Sequence, residues 1–167
     1  PFGLYKRELF SEVGAYDERL IRNHDMEFSK RLIKHKKDIY LTPKATCVYF
    51  ARETFSALAK NNYGNGKWNI LTVFITKRWE SLSLRHFVPL IFLLSLIGPL
   101  LLAWIDFRLA GLSALSLVTY LLAVSIISFQ LNSTETRWYY LVWSFITLHI
   151  SDGWGSLMGI VSLPKYA

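Results

Sequence analysis

Three long stretches of this chain are almost free of charge, and the polar residues gather ahead of them. Between Arg85 and Asp106 lie the twenty residues HFVPLIFLLSLIGPLLLAWI (86–105), none formally charged. About 20 such residues in a helix span the hydrocarbon core of a bilayer. Residues 109–131, LAGLSALSLVTYLLAVSIISFQL, are again uncharged, and their Ser, Thr, Ala and Gly suit close helix contacts in lipid. Residues 138–163 are apolar but broken by His149, Asp152, Gly153, Gly155 and Gly159. An ionisable side chain in hydrocarbon costs at least about 2.5 kcal/mol, so the prediction there is a third span that is irregular or re-entrant. Pro89 and Pro99 bend the first span rather than forbid it, because neighbouring helices can satisfy the freed carbonyls.

Ahead of these stretches the pattern shortens and mixes. Leu9, Phe10 and Val13 recur at helical spacing within residues 6–13, and Gly14 is a natural stop. Asn23 is an N-cap residue for a helix over about 25–36, with Phe28 and Leu32 four apart and Asp25 and Glu27 in its first turn. Capping by itself accounts for those two carboxylates. DIYLTP (38–43) and ATCVYFA (45–51) are rich in β-branched and aromatic residues and read as two short strands. Residues 53–85 interleave Phe55, Tyr63, Trp68, Phe74 and Trp79 with Lys60, Lys67, Lys77, Arg78 and Arg85, a mixture suited to the lipid headgroup layer. Interfacial helices are expected there.

Charge sharpens the division. Up to Arg85 there are 16 Lys and Arg against 9 Asp and Glu, net +7; from His86 onward there are 3 of each. Basic residues before the first span place the polar half on the cytoplasmic side. The expectation is a multi-pass protein of the inner (plasma) membrane whose partners include membrane lipids. No nucleic-acid module accompanies the basic residues, so nucleic acid is not an expected partner. The only cysteine, Cys47, has no neighbours at metal-ligand spacing and is expected as a small buried residue. The chain opens on Pro1 and reads as a piece of something longer.

The ordered series PFGLYKRELFSEVGAYDERLIRNHDMEFSKRL, IYLTP and YFAR resembles the C-terminal part of the GT-A domain of membrane-anchored family 2 glycosyltransferases of bacterial polysaccharide synthesis. Gly3, Gly14, Tyr16, Asp17, Glu18, Asn23, Asp25, Glu27, Pro43, Tyr49 and Arg52 occupy the places of that pattern. The resemblance implies an α/β fold over residues 1–52, the acceptor-side half of a GT-A domain. An interfacial linker (53–85) and a transmembrane segment of two to three helices (86–105, 109–131, 138–163) would follow.

Activity follows from the same resemblance. Such enzymes transfer a sugar from a nucleotide-diphosphate sugar to a lipid-linked or polysaccharide acceptor, with inversion. Asp25 stands where their general base stands, removing the proton of an acceptor hydroxyl that is otherwise a poor nucleophile. His24 replaces the more usual glutamate; it either contacts the acceptor or caps a surface loop. Lys67 and Trp68 either pair with and stack on the acceptor or anchor the chain at the membrane. Glu27 is expected to pair with Lys30 or Arg31. HISDGWGSLMGI resembles a C-terminal His-x-x-Tyr-Gly-x-Gly segment with Asp152 in the tyrosine's place, and His149 and Asp152 are spaced to pair. The Mg2+ or Mn2+ of these enzymes is held by an Asp-x-Asp motif that this chain lacks; its ligands, and the donor-binding half, are expected upstream. The fragment alone should then be inactive. A different class stays open: a non-catalytic membrane protein whose basic module binds anionic lipid or a partner protein.

Overall fold

In the computed structural model, which describes residues 3–167, the first element is a single turn and a half, α1 (Glu8–Glu12). Gly14 at φ +86° reverses the chain after it, a backbone conformation that other residues rarely adopt. α2 (His24–Lys34) packs back on α1 through Phe28 and Leu32, which with Val13 form a small core flanked by Tyr5, Leu9, Phe10 and Tyr16. Phe28 stacks on Phe10 with ring centroids 5.4 Å apart. Glu27 is buried and receives both Nε (3.0 Å) and Nη2 (2.8 Å) of Arg31. The same guanidinium donates to the carbonyls of Val13 and Ala15, tying the turn after α1 to α2.

The two predicted strands do not form. Residues 38–53 are without helix or strand, and there is no strand among the described residues, so the α/β GT-A half expected for residues 1–52 is replaced by a helical unit with an extended tail. The physical reason is the lack of a pairing partner: a strand is held by ladder hydrogen bonds to a neighbour, and an isolated one is not stable in water. Ile39, Tyr40, Leu41, Val48, Tyr49 and Phe50 are accordingly all exposed. Cys47, expected to be buried, is exposed with them.

α3 (Phe55–Thr76) begins where Thr54 Oγ1 accepts the amide of Ala57 at 3.1 Å, and ends at Lys77, which adopts φ 55°. Two tight turns, Trp79–Ser81 and Leu84–Phe87, lead into α4 (Val88–Leu102). Pro89 sits in the first turn of α4, where a missing N–H costs nothing, and the helix continues through Pro99. α5 (Ala110–Gln130) and α6 (Trp138–Ser162) complete the chain. The stretches Leu84–Leu102 and Phe107–Gln130 are long and apolar enough to cross a membrane, and only 17% of an apolar 18-residue window in each is buried inside the protein.

α6 is one uninterrupted helix of 25 residues, not the irregular or re-entrant segment expected. Its glycines serve packing instead of breaking it. A Cβ added at Gly155 would stand 2.0 Å from the carbonyl oxygen of Tyr63, and one at Gly66 would stand 1.9 Å from that of Asp152. Backbone therefore lies against backbone where α3 meets α6, as in the small-residue contacts of membrane helices. Ser156 Oγ donates to the Gly66 carbonyl at 3.1 Å across this seam. Polar contacts also link the apolar helices: Ser95 with Ser116 at 2.6 Å, Ser113 Oγ to the Leu96 carbonyl at 2.7 Å, and Tyr120 Oη with His149 Nδ1 at 3.0 Å. His149 is thus engaged by α5, on another element from the Asp152 partner that spacing implied.

Candidate functional site

The loop before α2 is fixed by a row of amides on α3. Asn61, Asn65 and Asn69 recur every four residues, so they share one face of that helix. Arg22 Nη1 donates to Asn65 Oδ1 at 2.8 Å and to Asn61 Oδ1 at 3.4 Å. Asn23 Nδ2 donates to Asn69 Oδ1 at 3.0 Å, and Asn69 Nδ2 in turn to the His86 carbonyl at 3.4 Å. Arg52 Nη2 reaches Asn61 Oδ1 at 3.0 Å.

These bonds change the part Asn23 plays. It occupies the N-cap position of α2, yet its side chain makes no capping bond and its backbone is left-handed, at φ 63°. Asparagine tolerates that conformation better than most residues. The amide is committed to α3, and the left-handed turn sends the chain directly into His24 and Asp25. The helix consequently starts at His24, one residue before the predicted Asp25.

His24 and Asp25 open onto a cavity of about 870 Å3. The opposite wall comes from distant parts of the chain: Asn65 and Asn69 on α3, His86 at the entry to α4, and Asp152 on α6. Arg22, Tyr16 and Met26 complete the near side. The volume lies within the range of small-molecule sites. Two carboxylates, two imidazoles, one guanidinium and several amides face one space, a set able both to donate and to accept hydrogen bonds.

The electrostatics beside the cavity are set by near neighbours. The Tyr16 hydroxyl is pushed above the usual phenol range, first by desolvation, then by its hydrogen bond with Tyr5 and the charges of Tyr5 and Asp25. The ring of Tyr16 meets that of His24 edge-on at 5.6 Å. Asp17 is held below the ordinary carboxylate range, chiefly by the Arg19 side chain, which binds it through Nε (2.9 Å) and Nη2 (2.7 Å).

Of the residues assigned from the sequence, the fold brings His24 to Asp25 and leaves two elsewhere. Trp68 is buried with Leu20 and Leu71, its ring edge-on to Tyr166 at 6.2 Å. Lys67 is half-buried on α3, its carbonyl facing Gly159. Neither lines the cavity. Asn65, Asn69, His86 and Asp152 take their place. The four-residue recurrence of asparagine in a largely apolar helix was the available signal for the α3 residues; nothing in the sequence joins His86 or Asp152 to Asp25.

No family model, no curated protein and no solved structure matches the chain. Fold and site define a helical protein with two helices long and apolar enough to cross a membrane, and a polar cavity where the first of these begins.

Proposed function

We propose that this chain carries the acceptor site of a family 2-like glycosyltransferase that acts at the cytoplasmic face of the plasma membrane. Asp25 is the general base of that reaction. The observation that carries the reading is that Asp25, singled out by the RNHDMEF motif, lines a polar cavity shared with His86 at the start of the first apolar stretch. A lipid-attached acceptor, on this reading, presents its hydroxyl close to the membrane surface, which suits a base beside the first apolar stretch.

In the reaction, the acceptor hydroxyl attacks the anomeric carbon of a nucleotide-diphosphate sugar. As the new C–O bond forms, the hydroxyl proton passes to the Asp25 carboxylate, and the bond to the nucleoside diphosphate breaks on the opposite face, giving inversion. His24 adjoins the base and is available to bind the acceptor. Charge on the leaving diphosphate is stabilised in such enzymes by Mg2+ or Mn2+. Among the described residues no three His, Cys, Asp or Glu side chains stand together as a ligand set, and no step here is routed through a metal.

The test is Asp25→Asn in the full-length protein, in membrane vesicles supplied with a panel of labelled nucleotide sugars. Loss of a positioned base lowers transfer about 10²- to 10⁴-fold, while membrane attachment persists. Transfer at the unmutated rate would remove the base assignment. No transfer from any donor by the unmutated protein would remove the enzyme reading.

One observation favours the non-catalytic alternative, a membrane protein binding anionic lipid. An apolar groove of about 520 Å3 lies between the end of α3, the start of α4 and the end of α6, with Lys77 at its edge and its walls formed by Val73, Phe87 and Leu163. The same vesicle experiment separates the two, since lipid binding does not need the Asp25 carboxylate.

A further inference from the structure

Two guanidiniums from separate parts of the chain meet on one neutral oxygen. Arg22 Nη1 donates to Asn61 Oδ1 at 3.4 Å, and Arg52 Nη2 donates to the same atom at 3.0 Å. Their other acceptors are neutral as well: Asn65 Oδ1 (2.8 Å) and the Asn61 carbonyl (3.5 Å) for Arg22, and the Tyr49 hydroxyl for Arg52. Among the described residues neither arginine is in an ion pair, whereas Arg19 and Arg31 each hold a carboxylate. Two like charges this close repel each other, and one shared amide oxygen carries no charge to offset them. An anion would.

The fold holds Arg22 in place for this. An added Cβ at Gly64 would lie 3.0 Å from Arg22 Cζ and 3.2 Å from its Nη2, so the guanidinium rests on bare α3 backbone where a side chain would otherwise stand. Its Nε and Nη2 make no hydrogen bond among the described residues and remain available as donors. Arg22 is half-buried and lines the Asp25 cavity; Arg52 is exposed and lies outside that lining, so the pair straddles the cavity's edge and a ligand can reach both. The planar fork of a guanidinium matches the oxygens of a phosphate. We infer that Arg22 and Arg52 form a phosphate-binding site at the edge of the Asp25 cavity, so that the ligand of this cavity carries a phosphate or diphosphate group. Giving that phosphate to the acceptor rests on the reading of the cavity as an acceptor site; the chemistry of the two arginines does not. A lipid phosphate and a soluble one share this chemistry, and the experiment separates them.

Binding is measured by calorimetry on the full-length protein, without turnover. In phosphatidylcholine nanodiscs it is titrated with inorganic pyrophosphate, and in detergent micelles with dioctanoyl phosphatidic acid. At least one probe should bind saturably, and Arg22→Gln and Arg52→Gln should each weaken it by about tenfold or more, the effect of losing a hydrogen bond between charged groups. Arg22→Lys keeps the charge but not the fork and should weaken binding too. Because Arg52 is exposed, Arg52→Gln keeps the fold and the test stands even where Arg22→Gln does not fold. Lys44→Gln, an equal change of charge on an exposed turn, should alter nothing. Arginine-dependent binding of pyrophosphate alone assigns the site to a soluble phosphate, and of phosphatidic acid alone to a lipid. Binding of neither probe, unchanged binding in Arg52→Gln, or equal weakening in Lys44→Gln would each overturn the inference. Transfer by Asp25→Asn is scored in parallel. Arginine-dependent binding with transfer intact in Asp25→Asn would remove the base and leave the phosphate site standing; transfer lost in Asp25→Asn with binding indifferent to both arginines would do the reverse.

Discussion

Glu27 and Asp25 lie two residues apart in one helical turn, and the fold gives them opposite environments. Asp25 borders the cavity; Glu27 points inward, 4% exposed, and is neutralised by Arg31. The guanidinium in turn satisfies two carbonyls of the turn after α1, so this pair joins three pieces of backbone. Removing one partner of a buried pair leaves the other uncompensated, typically at a cost of about 3 kcal/mol. Glu27→Gln should therefore lower the denaturation midpoint of the α1–α2 unit markedly, as followed by Trp68 fluorescence or proteolysis. A loss under 1 kcal/mol would show that Arg31 is adequately solvated without it. Helical spacing offered Lys30 or Arg31 as the partner of Glu27 in the sequence, since all three are on one helix, and the fold selects Arg31. The cavity partners of Asp25 were not legible in that way, because helical periodicity reports neighbours within a helix and is silent about which helices meet.

At the scale of elements, the joint between α3 and α6 decides whether the cavity exists. Gly66 and Gly155 let the two backbones touch, and Asn65, Asn69 and Asp152 reach one space only because they do. The Cβ of Gly66→Ala would collide with backbone rather than with a yielding side chain. That substitution should separate the helices, lower thermal stability by several degrees and abolish function. Gly98→Ala and Gly111→Ala, where an added Cβ meets nothing, should leave the melting temperature within a degree or two. Equal effects at all three sites would mean that the close approach of α3 and α6 is not needed. Glycines in the last stretch read as breaks when the sequence is taken alone, because glycine weakens an isolated helix by about 1 kcal/mol. Close packing against α3 reverses that preference.

For the molecule as a whole, Leu84–Leu102 and Phe107–Gln130 are long and apolar enough to cross a membrane, and their apolar faces are exposed. Helices of a water-soluble core would hide such faces; here Ile91, Leu101, Leu115 and Leu122 are outward. The proposed orientation can be checked with Cys47, which is exposed on the polar side. A membrane-impermeant maleimide should label it in inside-out vesicles and not in sealed right-side-out ones; the reverse pattern would invert the topology. The sequence alone determined where the two long apolar helices lie, because lipid solvation acts on each stretch separately and depends on composition and length. It also predicted α1, α2 and an ion pair of Glu27 with Lys30 or Arg31, all local in the chain, of which the fold selects Arg31. Only the tertiary structure decided that the two strand-like stretches stay unpaired, that α6 is continuous, and that Asp25, His86 and Asp152 face one cavity. Each of these depends on a partner far along the chain, supplied or withheld by packing.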